Sequence, residues 1–297
     1  MALVGVAASL MFATSCTKKE AENSEESAPP VAINSAADFA GESVSSSQKE
    51  SLVNNPWKVF PTLPGSGAVD IGVGANGVVW VIGGLAETGG YGIYYWSSIG
   101  WYKVAGAALS IDVDANGNPW IVNNQKEVFK RSNGAWTKVA GSGTARDITV
   151  GYDGVVYIVS NMPSPYGAYE VMRWNGYKFV SVSPRAGGLR ISAGAKNGVP
   201  VYWYITAEDR VLMGSNDFSS AKTEETNAFT LATDVGCGKE GIPYIITKTA
   251  ATGGFTIQRY VNSVWEEAGG AAVKVDVGAN AIPFVVNNIG KIYCQFQ

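Results

Sequence analysis

From residue 57 onward, short runs of β-branched and aromatic residues alternate with polar, glycine-rich turns, and this alternation itself recurs. The stretch Val69-Asp-Ile-Gly-Val-Gly-Ala-Asn-Gly-Val-Val-Trp80 returns five more times in weakening form. Its anchoring aromatic or apolar position falls at Trp80, Trp120, Tyr157, Val201, Tyr244 and Phe284. The steps of 40, 37, 44, 43 and 40 residues are the period of one four-stranded propeller blade. A second landmark keeps the same phase at Trp101, Trp136, Tyr177, Phe218 and Trp265, and the sixth repeat lacks it. After Phe284 only 13 residues remain, enough for one more strand over 291–296. The missing fourth strand stands at the other end of the repeat region, at 57–60. An array of sheets closes best when its last blade draws strands from both ends of the domain, because no open edge is left. The pattern therefore predicts an all-β fold: a six-bladed β-propeller of four-stranded antiparallel blades, closed by an N-terminal strand that completes the last blade.

Local signals agree. Val78-Val-Trp-Val-Ile82, Pro119-Trp-Ile-Val122, Val155-Val-Tyr-Ile-Val159 and Tyr244-Ile-Ile246 read as strands bounded by turn residues. Asn76-Gly77, Asn116-Gly117, Asp153-Gly154 and Asn197-Gly198 occupy one repeat position and predict two-residue hairpins with positive φ at both central residues. Nothing after residue 55 keeps a helical period. The chain of 297 residues is 46% apolar and 16% charged, which suits one large β domain over 56–297 with an N-terminal extension. A net charge of −3 and the lack of any basic block argue against a nucleic-acid partner.

The extension has two parts. Residues 2–13 are apolar but too short to span a bilayer, and they lead into Ala13-Thr-Ser-Cys16-Thr-Lys-Lys. This resembles a bacterial lipoprotein signal. The resemblance implies cleavage of segment 1–16 before Cys16, lipidation of Cys16, and a bacterial envelope location, at the outer membrane on its periplasmic or surface-exposed side. The lipid would be the sole membrane contact. Residues 17–55, rich in Ser, Glu and Ala, are expected to be a flexible polar tether. The acidic run Glu20-Ala-Glu-Asn-Ser-Glu-Glu26 reads either as solvated linker or as a signal for export to the cell exterior.

Candidate chemistry is sparse. With no histidine in the chain, Ser-His-Asp and Cys-His nucleophile systems and His-based zinc sites are excluded. Cys237 and Cys294 fall at different strand positions of blades five and six, so free buried thiols are expected, although the compartment would permit a disulfide. Gly72-Val-Gly-Ala-Asn-Gly77 and Gly236-Cys-Gly-Lys-Glu-Gly241 match a dinucleotide fingerprint, but a strand follows each where a helix is needed. No cofactor is expected. Asp112-Val-Asp-Ala-Asn-Gly117 opens like a calcium loop, yet Asn123 stands where the bidentate Glu belongs, so a structural turn and no metal are predicted. Asp70, Asp147 and Asp234 share one repeat position, with Asp112 and Asp276 shifted by two. Recurrence by symmetry suits side chains bonded to backbone amides between blades better than a catalytic acid and base. No catalytic residues are assigned.

The interval between the two landmarks alternates, 21, 16, 20, 17 and 21 residues, so the true repeat is a pair of blades. In the long blades Tyr91, Tyr169 and Phe255 stand five residues before a second aromatic, after a glycine- or proline-containing loop; in the short blades the same position is Lys126, Asp209 or Gly290. Three longer loops at about 120° would make three similar surfaces, and weak sites used together gain by avidity. Tyr91, Tyr169 and Phe255 either contact ligand there or pack against the neighbouring blade.

Together, Asp70-Ile-Gly-Val-Gly-Ala-Asn-Gly-Val-Val-Trp-Val-Ile-Gly83, Gly89-Gly-Tyr-Gly-Ile-Tyr-Tyr-Trp96, Trp101-Tyr-Lys-Val-Ala-Gly106 and Asn116-Gly-Asn-Pro-Trp-Ile-Val-Asn123 resemble tectonin repeats. That resemblance implies a non-enzymatic, lectin-like propeller recognising glycans, here as a surface lipoprotein. The alternative is a protein-interaction scaffold in an envelope complex.

Overall fold

The computed structural model describes residues 29–34, 57–97, 99–141, 143–182, 185–215, 223–225 and 230–296. The signal segment 1–16, with Cys16, and Phe218 lie outside the described residues, as does most of the 17–55 tether. Among the described residues six antiparallel sheets follow one another along the chain, each built on four strands in meander order, and the blade-three sheet adds a fifth short strand, Gly187–Gly188. Their inner strands are Ala68–Val73, Ser110–Val113, Ala145–Val150, Arg190–Lys196, Ala232–Cys237 and Lys274–Val277. The strand Lys58–Val59 pairs with Ile292–Cys294 and becomes the outer strand of blade six, so the ring is closed by the N-terminal element. The predicted six-bladed propeller is the fold of the chain.

Between blades the packing is apolar. The second strands bury large apolar side chains, as in Val79-Trp-Val-Ile82, because both of their faces meet neighbouring blades. Phe60, Trp96, Trp101 and Phe284 form an aromatic cluster across the closing seam. Each side chain fully buried there contributes about 1.5–3 kcal/mol.

Register corrects several details. In blade four it is Trp203, not Val201, that faces the inner strand at Ser192, as Trp80 faces Gly72 and Tyr244 faces Gly236. The blade-four ladder runs three pairs further, to Lys196 opposite Val199, and its Asn197-Gly198 turn alone of the four has both residues at positive φ, 52° and 75°. In the other three turns only the glycine does, because the chain closes a wider loop there: Gly77 N–H donates to Gly74 O, and Gly74 N–H to Val78 O. In blade three Phe179, not Tyr177, takes the outer-strand landmark. It pairs with Trp174 as Trp101 pairs with Trp96, while Tyr177 is 87% exposed in the preceding turn.

Part of the expected tether is docked. Across residues 29–34, Val31 N–H donates to Trp96 O at 3.1 Å, Ile33 N–H donates to Gly77 O at 2.7 Å, and Asn280 Nδ2 donates to Asn34 O at 2.9 Å. Ile33 is fully buried in the core between blades one and six. The segment crosses the face that carries the turns between first and second strands, called here the bottom face. The opposite, top face carries the blade-to-blade connections and the turns between second and third strands.

Candidate functional site: the channel and its top mouth

The inner strands surround a narrow channel with room for about 30 Å³, lined mainly by polar side chains. At its first level, nearer the top, the six blades present in order Asp70, Ser110, Asp147, Arg190, Asp234 and Lys274. At the second level they present Gly72, Asp112, Thr149, Ser192, Gly236 and Asp276. These equivalences follow from strand register, since each pair of levels faces matching positions on the second strands. The glycines at Gly72 and Gly236 are required by close approach. A Cβ on Gly72 would lie 2.7 Å from Asp112 Cα, and one on Gly236 would lie 2.7 Å from Asp276 Cα.

Every seam is stitched by one of these side chains to the next blade's inner strand. Ile111 N–H donates to Asp70 (3.2 Å), Val150 N–H to Asp112 (2.6 Å), Ile191 N–H to Asp147 (3.1 Å), Cys237 N–H to Ser192 (2.8 Å), Val275 N–H to Asp234 (2.9 Å) and Val73 N–H to Asp276 (2.6 Å). The aspartates therefore hold blades together, as their recurrence predicted. Lys274 Nζ lies 3.4 Å from Asp70 and 3.9 Å from Asp234, and Arg190 Nε lies 3.7 Å from Asp234. Burial pushes the Asp112 carboxyl up to about 7 and Asp234 up to about 6. Asp276 is held well above the usual range by burial, reinforced by the Asp112 charge. Asp112, Asp234 and Asp276 thus keep their protons to higher pH than water-exposed aspartates do.

Asp114 accounts for the calcium-like motif: its carboxylate accepts from the Asn116 and Asn118 amides at 3.0 and 2.9 Å and pairs with Lys130 at 3.1 Å. Cys237 and Cys294 are free and buried, as expected, and burial pushes both thiols up to about 12.

On the top face the longer loops expected in blades one and five prove to be strand extensions closed by two-residue turns, Thr88-Gly89 and Thr252-Gly253. They lean onto the following short blade, where Asn124 N–H donates to Gly89 O at 2.8 Å and Asn288 N–H to Gly253 O at 2.9 Å. Beneath each lies a groove of the same construction. One, of about 280 Å³, lies against Trp136 and Phe129; the other, of about 210 Å³, lies against Trp57 and Tyr293. Tyr91, Tyr169 and Phe255 occupy equivalent register positions, facing Ala108, Gly188 and Ala272. All three are half-buried and pack on their blades' cores.

Tyr169 also borders a larger cavity with charged side chains in its walls. This cavity, about 410 Å³, opens at the top mouth of the channel, and its walls include Lys126, Arg146, Tyr169, Arg190 and Asp209. The Arg146 guanidinium lies 3.7 Å from the centre of the Tyr169 ring. Arg146 occupies a bulge in the inner strand of blade three; the matching bulges of blades one and five hold Val69 and Thr233. The repeat pattern does not mark Arg146, because it marks what recurs and this residue is a departure.

The chain is thus a six-bladed β-propeller with a polar top mouth. No protein-family model and no curated protein matches it. Among solved structures it is similar to YCF48 bound to D1 peptide, at 14% identity and a TM-score of 0.50, over 83% of this chain and 84% of that one. It is similar also to the WD40 β-propeller domain of Doa1, at 12% identity and a TM-score of 0.51, over 82% of this chain and 97% of that one. A structural genomics protein of unknown function from Bacteroides thetaiotaomicron matches at 8% identity and a TM-score of 0.52, over 82% of this chain and 72% of that one. At such identities the likeness is one of fold.

Proposed function

We propose that this propeller is a non-enzymatic docking platform that receives a segment of a partner protein on its top face, at the channel mouth. The carrying observation is the 410 Å³ cavity, whose Arg146 and Lys126 stand where equivalent blades hold Val69 or Thr233 and Asp209 or Gly290. Below it, the channel carboxyls are committed to the seams, which leaves them no substrate to serve. YCF48 bound to D1 peptide and the Doa1 domain support the reading as examples of this fold, the former with a peptide in its name. The lipoprotein-like start adds that Cys16 carries the lipid and that the platform works in a bacterial envelope.

A photo-crosslinking residue at the exposed top-face position Glu208 tests this, with one at the bottom-face turn position Asn116 as control. Discrete adducts from the top position alone are expected in living cells. Adducts from neither position, or equally from both, count against the reading.

A glycan-binding, tectonin-like role is the second reading, favoured by the paired grooves against Trp136 and Trp57. Its test is a glycan array with the wild type, a Trp57→Ala/Trp136→Ala variant and a Tyr91→Ala/Tyr169→Ala/Phe255→Ala variant. Binding lost only in the first variant would place sugar in the grooves. Loss in the second would place it on Tyr91, Tyr169 and Phe255.

A further inference from the structure

The top mouth has a charge imbalance that the fold does not use. Arg190 is committed inward to Asp234, and the cavity's carboxylate, Asp209, is ion-paired with Lys248. Lys126 and Arg146 remain, and neither has a carboxylate within ion-pair distance among the described residues. Arg146 Nε is shielded from solvent and has no hydrogen-bond partner, while its planar face is already held on Tyr169. A buried guanidinium N–H without an acceptor is costly, and a guanidinium fixed on an aromatic face is pre-organised to take a carboxylate.

Symmetry sharpens the point. Structural groups in this ring repeat: the turns holding Lys126, Asp209 and Gly290 have the same positive φ of 66°, 62° and 76°. Their backbone carbonyls accept from the equivalent amides of Ala145, Ala232 and Ala68. The backbone work is therefore done equally well by Gly, and the Lys126 side chain is not needed for it. Likewise the bulge is built with Val69 or Thr233 as well as with Arg146. Two cations placed where the fold accepts an uncharged residue, both facing one cavity on a chain of net charge −3, are best explained by something they bind.

We infer that the top mouth is a carboxylate-binding site, in which Arg146 and Lys126 take acidic side chains of a docked peptide. This rests on the docking reading above and names the chemistry of the segment received. Arg146 supplies directed N–H donors, Lys126 a point charge at the rim, and Tyr169 fixes the guanidinium plane.

The test uses the full chain and a fluorescein-labelled hexaglutamate peptide, with hexaglutamine as its neutral counterpart and oligogalacturonate as a carboxylate from sugar, read by anisotropy or competition. Hexaglutamate is expected to saturate and hexaglutamine not to. Arg146→Gln and Lys126→Gln should each weaken hexaglutamate at least about ten-fold, with Arg146→Lys intermediate, and affinity should fall as salt rises. Lys126→Gln serves on its own if Arg146→Gln fails to fold. Equal affinity for both peptides, no saturation by hexaglutamate, or an unchanged dissociation constant in the folded variants overturns the inference. So does binding of oligogalacturonate alone, which would assign the site to an acidic sugar. If Glu208 crosslinks persist while hexaglutamate fails, the docking reading stands and the carboxylate inference falls.

Discussion

The closing seam gives the most exacting test of how this ring is held. Asp276 on the last blade accepts the Val73 N–H of the first at 2.6 Å, and it does so inside the channel, where burial and Asp112 hold its carboxyl well above the usual range. Asp276→Ala leaves the Val73 amide without its acceptor, a loss of about 1–3 kcal/mol. Asp276→Asn keeps an oxygen for that amide and removes the ionisable proton, so at neutral pH it should be close to neutral. Each kcal/mol corresponds to a Tm change of about 2–4 °C for a domain of this size. The pH dependence adds a second arm. Because the folded-state value is raised, the folded protein binds more protons than the unfolded chain above pH 4. The stabilising contribution is complete below the unfolded value and is lost as pH rises through the folded one, at up to about 1.4 kcal/mol per pH unit. Thermal unfolding from pH 5 to pH 8 should therefore show a falling Tm in the wild type and a flatter profile in Asp276→Asn. Equal destabilisation by Asn and Ala, or parallel profiles for Asn and wild type, would refute the reasoning.

Lys274→Met removes the cation 3.4 Å from Asp70 and 3.9 Å from Asp234, and breaking such an enclosed group costs about 3–5 kcal/mol at neutral pH. Both carboxyls then take up protons more readily, so the Tm deficit should shrink between pH 7 and pH 5; a deficit that does not shrink would show that lost packing, not charge, is responsible. Ile33→Ala should remove hydrogen-exchange protection from the Val31 and Ile33 amides, which are bonded to Trp96 O and Gly77 O, and lower the Tm. Unchanged protection would mean that the backbone bonds hold the segment without the side chain.

The repeats made the blade count, the closing strand and the role of the aspartates legible, because each is written many times and errors in one copy are corrected by the others. What stayed hidden was written once. Counting from the Asn-Gly turn points to Val201, whereas register is set at the channel, and blade four's longer hairpin moves the anchor to Trp203. Tyr177 and Phe179 are two residues apart, so they lie on the same side of a strand and periodicity cannot choose between them; pairing with Trp174 does. Residues 29–34 contain Pro-Pro-Val-Ala-Ile with no period to mark it, and docking depends on a slot that only the closed ring provides.

The same contrast separates structure from function in the channel. A charge that recurs at matching positions, as Asp70, Asp147 and Asp234 do, has its reason in the neighbouring blade, and the hydrogen bonds supply that reason in full. A charge that replaces Val69 and Thr233 at one bulge has no such reason, since the fold is built in the other blades without it. Internal repetition thus supplies comparisons within a single chain: each position has up to five counterparts that report what the scaffold alone requires. By that comparison the aromatic positions of the long blades, Tyr91, Tyr169 and Phe255, belong first to the scaffold, because each packs on its blade's core. Arg146, stacked on Tyr169 at the mouth, is where the requirement of the scaffold ends and that of a ligand begins.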